Sequence, residues 1–167
     1  MSFTKLFNEF KSQGYKLGKD TIFDYMSYLE DAYTLFTVPI YRNSIKEEQR
    51  NPKKIYDYTT GDDMSKLYEN IVFLHLYRQT KDIYYFKEKH EVDFYAKINT
   101  NAYLVNVSYQ IDDPATRKRE IDGLAEAMSY FNLSKSYLVT NGEDQMIEID
   151  DKKIYIIPLF KLLLKKL

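Results

Sequence analysis

Apolar residues recur at three- and four-residue intervals from the start of the chain. Phe3, Leu6, Phe7 and Phe10 stand at i, i+3, i+4 and i+7, a spacing that predicts an amphipathic helix ending near Gly14. A second helix is expected from about Asp20 or Thr21, with Ile22, Tyr25, Met26, Leu29 and Tyr33 along its apolar side. LFTVPIYR then reads as a strand, and Pro39 within it implies an edge or a bend. The polar stretch 43–54 reads as a loop or wing.

The pattern changes after Gly61. MSKLYENIVFLHLYRQ, residues 64–79, predicts a strongly apolar helix. Short strands are expected at about 83–87, 91–98 and 102–110, with INTN turning the chain between the last two. Asp113 followed by Pro114 has the form of an N-cap with proline at the first helical position. The helix that follows carries Ile121, Leu124, Met128 and Phe131 on one face. KSYLVTN and KKIYIIP are β-rich, and PLFKLLLKKL reads as a closing helix. The expected order from residue 62 is α-β-β-β-α-β, then a further β and α: an α/β core around a central sheet.

Composition narrows the picture without changing it. A chain of 167 residues is one domain, or one domain with an appendage, and the break in pattern divides it into 1–61 and 62–167. With 44% hydrophobic residues it has material for a core, which argues against wholesale disorder. A net charge of -1 supplies no global field for DNA or an anionic membrane, so any polyanion contact must be local. Cysteine is absent and the only histidines are His75 and His90, which rules out disulfides and leaves a structural zinc site without ligands. The N-terminus has no signal-peptide core, and no apolar run approaches the roughly 18 residues of a membrane span. The expectation is a soluble, cytoplasmic protein without a membrane partner.

Three constellations invite a chemical reading. Gly14-Tyr-Lys-Leu-Gly18-Lys19-Asp20 resembles a phosphate loop only superficially. That motif needs four residues between its glycines and a hydroxyl after the lysine, where this chain has an aspartate that repels phosphate. The second helix presents Asp24, Ser27, Glu30 and Asp31, an acidic face unsuited to reading DNA. Packing explains that helix; Lys46, Arg50, Lys53 and Lys54 nearby either touch phosphate or form a solvated loop. The third constellation is acidic. Glu69 shares a helix face with Phe73 and Leu76, and a glutamate in such a setting needs a cation, a metal ion or a helix end. Strict alternation puts Asp93 on the same strand face as Glu91 and Tyr95. Asn106 and Ser108 lie about 6.6 Å apart along one side of the next strand, with Gln110 beyond them. Two carboxylates converging on polar strand residues would form an oxygen site for a hard cation such as Mg²⁺. Ordinary capping by Glu69 and an exposed Asp93 account for the same residues.

Several segments together resemble a known arrangement. KLYENIVFLHL, IYYFKEKHEVDFYAK, AYLVNVSYQIDDPATRKREIDGL and SYLVTN with KIYIIPLFKLLL resemble the C-terminal domain, of undefined function, of a family of archaeal and bacterial AAA-type ATPases. That domain is similar to the PD-(D/E)XK restriction-endonuclease-like superfamily. NPKKIYDYTTG resembles its entry segment, and the preceding helices with LFTVPIYR look like its winged-helix-like connector. The resemblance implies metal-binding roles for Glu69 and Asp93 with Mg²⁺ or Mn²⁺, and an Arg-Glu pair at Arg119 and Glu120. It sets Asn106-Val107-Ser108 where active nucleases carry Glu or Gln, any residue, and Lys.

That last departure is chemical. The lysine would orient the attacking water and balance charge at the scissile phosphate, and Ser108 has no cationic form. Asn106 is a neutral and poorer magnesium ligand than glutamate. Lys87, Lys89 and Lys97 are the candidates to replace the lysine, although Lys97 is about 13 Å along the strand from Asp93. The cluster Arg117, Lys118 and Arg119 opposes the helix macrodipole, which hints at an anionic contact or at local salt bridges. The expectation is a catalytically degenerate nuclease-like domain that serves as a nucleic-acid or protein interaction module, with DNA as a candidate ligand and an AAA ATPase domain as a partner in cis or in trans. The alternative is an active Mg²⁺- or Mn²⁺-dependent DNA endonuclease with a displaced lysine.

Overall fold

The computed structural model describes residues 3–16, 18–32, 34–51, 53–57, 63–142 and 144–165. Tyr33 and residues 58–62 of the expected domain junction lie outside the described residues, as do the side chains of Phe3 and Leu6. The chain forms two compact units, Met1–Thr60 and Gly61–Leu167.

The first unit contains α1 (Phe3–Ser12), α2 (Lys19–Asp31), β1 (Leu35–Val38), α3 (Ile45–Arg50) and β2 (Lys54–Asp57). Gly14, at φ +87°, turns the chain after α1 at an angle that costs glycine little. Ile22, Met26 and Leu35 form a small core against Phe7, Phe10 and Ile55. Tyr25 and Leu29, expected on the same apolar stripe of α2, are exposed. A sheet of only two strands, β1 and β2, offers a single narrow strip for a helix to cover. The stretch 43–54, expected as a loop or wing, contains a helix. IKEEQR, rich in helix formers and with Glu47 and Glu48 in its first turn, winds into α3. The chain then returns as β2, pairing antiparallel with β1 from Leu35↔Asp57 to Val38↔Lys54.

The second unit contains α4 (Met64–Tyr77), β3 (Ile83–Lys87), β4 (Glu91–Ile98), β5 (Asn101–Val107), α5 (Pro114–Phe131), β6 (Lys135–Thr140), β7 (Gln145–Ile149), β8 (Lys152–Pro158) and α6 (Leu159–Leu163). One strand, β7, exceeds the expected order. It is an exposed edge strand with a weak apolar pattern, and it turns into β8 through Asp150 and Asp151, both at positive φ. The sheet order is β3-β4-β5-β6-β8-β7. Strands β3, β4 and β5 form an antiparallel meander; β5, β6 and β8 run parallel; β7 returns antiparallel along β8.

Helices cover both faces of this mixed α/β sheet. Phe94 meets Phe73 of α4, with ring centroids 6.4 Å apart, and the adjacent Tyr95 stacks on Phe131 of α5 at 3.9 Å. Consecutive strand residues point to opposite faces, so α4 and α5 flank the sheet from opposite sides. This double cover explains the near-continuous apolar runs of β6 and β8. Asp63 caps α4 through Ser65 N and Lys66 N, and Asp113 caps α5 through Thr116 N with Pro114 in the first turn, as expected at the latter.

A candidate anion site at the end of the β4–β5 ladder

The backbone ladder between β4 and β5 runs from Ile98↔Asn101 to Phe94↔Val105. One residue further the side chains take over. Asp93 N donates to Asn106 Oδ1 at 3.0 Å, and Val107 N donates to Asp93 Oδ2 at 2.9 Å. On the other side of β4, the step from Tyr84 to Phe86 in β3 answers the step from Tyr95 to Val92, so β4 carries an extra residue there. Phe86 and Tyr95 both pack on Phe131 of α5. Val92, paired with Phe86, therefore shares a face with Tyr95, and the strict alternation expected through Asp93 ends at this bulge.

Asn106 is only 2% exposed, and its amide is engaged at both ends. Besides accepting from Asp93 N, it donates through Nδ2 to Glu120 Oε2 of α5 at 2.5 Å. The other oxygen of Glu120 takes two hydrogen bonds from Arg119, from Nε at 3.1 Å and Nη2 at 2.5 Å. Hydrogen bonding to Glu120, then its charge, hold the Arg119 guanidinium still more firmly protonated than usual. Arg119, Glu120, Asn106 and Asp93 thus form one hydrogen-bonded chain from helix to strand.

These four side chains line a cavity of about 360 Å³. The β3–β4 hairpin lines it too, with Lys87, Lys89, His90 and Glu91. Lys87 pairs with Glu91 at 3.0 Å. Glu126 of α5 fastens the turn: its carboxylate accepts from Lys89 N at 3.3 Å, from His90 N at 3.1 Å, and sits 2.8 Å from His90 Nδ1. Partial burial alone would raise the Glu126 carboxyl, but these hydrogen bonds outweigh it and hold the group below its ordinary value. Gly123, one helical turn earlier, permits the approach. A Cβ there would lie 3.1 Å from His90 Cβ.

The sequence nominees divide between this cavity and elsewhere. Asp93, Asn106, Arg119 and Glu120 come together in it; Glu69 and Ser108 are not among its lining residues. Glu69 is half-buried in α4. Ser108 N donates to Val139 O at 3.0 Å and its hydroxyl to Gln110 O at 3.1 Å, so it is tied to the strand end and the loop beyond. Lys118 pairs with Asp122 at 2.6 Å, and Arg117 is half-buried nearby on the same helix. Lys53 and Lys54 belong to the other unit. Lys97 approaches Asp82 to 3.9 Å and lies over the rings of Tyr84 and Tyr95, away from the cavity lining.

Glu126, His90 and Gly123 were missed. The available signal was Gly123 itself: a glycine inside a helix costs about 1 kcal/mol relative to alanine and usually has a packing reason.

This donor set does not suit Mg²⁺ or Mn²⁺. Asn106 is neutral with its oxygen already accepting an N–H, Glu120 is committed to Arg119 and Asn106, and Asp93 Oδ2 accepts Val107 N. Among the described residues no group of three or more His, Asp or Glu side chains is disposed to hold a metal ion. The cavity instead sets cations and N–H donors around carboxylates that already accept from them.

A family model described as a domain of unknown function, DUF4143, matches residues 64–162. The uncharacterized protein MJ1544 of Methanocaldococcus jannaschii is 27% identical over 180 residues, an alignment covering 96% of this chain and 40% of that protein. The chain therefore spans about two fifths of the length of this relative. No solved structure matches.

Proposed function

Taking as premise that the chain belongs to the DUF4143 family, we propose that its second unit is a catalytically silent, PD-(D/E)XK-like module that binds nucleic-acid phosphate without cutting it. Support for the likeness comes from topology: a helix, an antiparallel meander of three strands, a crossover helix and a parallel fourth strand, with polar residues gathered where β4 and β5 part. The first unit would be the winged-helix-like connector to an AAA ATPase, in cis or in trans. A relative of which this chain spans two fifths leaves length for such a domain.

The observation that carries the silent reading is Asn106. Where active nucleases carry a Glu or Gln ligand, this residue is a buried amide already spent joining Asp93 N to Glu120, and Ser108 stands where they carry lysine. Asn106 ties the strand to the helix through both ends of one amide. Catalysis by positioned charge loses its centre, while binding by surrounding cations does not.

The test is direct. Labelled duplex and single-stranded DNA should bind at low salt, with affinity falling as salt rises, and plasmid DNA should survive incubation with Mn²⁺. A second reading, an active endonuclease with a displaced lysine, draws support from Lys87 and Lys89 lining the same cavity as Asp93. Plasmid cleavage that disappears in Asp93→Ala would establish that reading and overturn the first. Absence of DNA binding at low salt would leave a protein-docking role.

A further inference from the structure

The cations around the cavity are not equally available to a ligand. Arg119 is bound to Glu120, Lys87 to Glu91, and His90 to Glu126. Lys89, exposed and lining the cavity, makes no ion pair among the described residues. Its backbone, in contrast, is fixed. Glu126 accepts from the N–H groups of Lys89 and His90 and from the His90 ring, and Glu88 N donates to His90 O at 3.2 Å to close the turn. The absence of a Cβ at Gly123 lets this turn lie close to α5. An exposed lysine is thereby mounted on an anchored backbone at the cavity edge.

We propose that Lys89 is the residue that contacts the ligand's phosphate, and that Glu126 is the positioning residue that holds it there. The assignment rests on the phosphate-binding reading above and refines it. The basic cluster that opens α5 looks the stronger candidate by charge count, but Arg119 and Lys118 are already neutralised by Glu120 and Asp122. Using either means breaking an existing ion pair. Lys89 feels the Asp122 carboxylate only through space, and an ammonium outside any close ion pair contributes most of its counterion-release effect when it meets a phosphate.

Binding of a fluorescent single-stranded oligonucleotide to the full chain, measured from about 50 to 300 mM salt, tests the assignment. Lys89→Gln should weaken binding by on the order of tenfold at about 50 mM salt and lower the salt slope by about one. Lys135→Gln, at the far end of β6 from the cavity, should do neither. Glu126→Ala should reproduce most of the loss, and in the double variant with Lys89→Gln the two losses should not add, because one acts through the other. A purely structural role for Glu126 would give additive losses. If Glu126→Ala fails to fold, Lys89→Gln still decides the contact. Normal binding and slope in Lys89→Gln would overturn this assignment while leaving the phosphate-binding reading intact. No binding by the unaltered protein would overturn that reading, and the assignment with it.

Discussion

The amide of Asn106 should be worth more to stability than its size suggests, because truncating it strands partners on two elements at once. Asn106→Ala leaves the Asp93 N–H without its acceptor at 3.0 Å and Glu120 Oε2 without its donor at 2.5 Å. A buried, unsatisfied N–H costs about 1–3 kcal/mol, and a hydrogen bond to a charged group is worth about 1.5–3 kcal/mol. The two losses will not add in full, because Glu120 keeps Arg119 and its side chain retains 12% exposure to water. A destabilisation of about 3 kcal/mol is the reasonable sum. For an m-value of about 1–3 kcal/mol per M, urea unfolding followed by far-UV circular dichroism should show the midpoint fall by at least about 1 M with m unchanged. Asn106→Asp refines the test. It keeps an acceptor for Asp93 N–H but sets a second carboxylate against Glu120, so one of the two must have a raised pKa in the folded variant. Its deficit should therefore be largest near neutral pH and shrink as the pH falls toward about 4. A loss under about 1 kcal/mol in Asn106→Ala would mean that water or a shifted strand satisfies these groups, and the view of the amide as a structural bridge would be wrong.

Other expectations follow from the same contacts. Asp63 and Asp113 at helix starts, Asp122 beside Lys118, and Glu126 beneath the turn are all held below their ordinary carboxyl values. Their stabilisation is complete above about pH 4 and is lost as the pH falls through the lowered folded values, so urea midpoints should drop in that range, and a flat profile from pH 5 to 3 would contradict it. His75 is also shifted down, by burial first, opposed by the Lys165 backbone carbonyl and aided by Arg78, so stability should already begin to fall below about pH 6.5; His75→Gln should remove that early part. Gly123→Ala gains about 1 kcal/mol of helix propensity but forces His90 away from a Cβ contact of 3.1 Å. The net change in midpoint should be small and oligonucleotide binding weaker; a full propensity gain with normal binding would show that the turn moves freely. Lys97→Met should leave oligonucleotide binding unchanged, because that ammonium serves Asp82 and the rings of Tyr84 and Tyr95.

Local pattern carried the second unit well wherever the pattern was strong. Strands at 83–87 and 91–98 and the proline-started helix at Pro114 follow from alternation and capping, and the structure has them there. Where burial is one-sided or absent the signal fades. QMIEI is an edge strand exposed along most of its length, so nothing forces a clear alternation, and IKEEQR is a six-residue helix too short to display a period. The apolar stripe of α2 was visible, but how much of it becomes buried depends on the width of the surface it meets. That width is a tertiary property, and Tyr25 and Leu29 remain exposed.

The candidate site shows the same division at finer scale. Residue types announced polar chemistry on β4 and β5, and strand register alone brings Asp93 opposite Asn106. Neither type nor spacing says what each polar atom does with its partners. Asn106 reads as a lost ligand when compared with a glutamate, yet in the fold it performs a positive task, satisfying a strand N–H at a bulge and a helix carboxylate together. The neighbouring carboxylates are served as well: Glu120 has Arg119 as counter-charge, and Asp93 takes the Val107 N–H. A site that had merely decayed would leave buried polar groups unsatisfied, at a cost of about 1–3 kcal/mol each. In this network Asn106 and Glu120 find partners within the protein, so the polar residues where β4 and β5 part are a satisfied structure and carry no such cost.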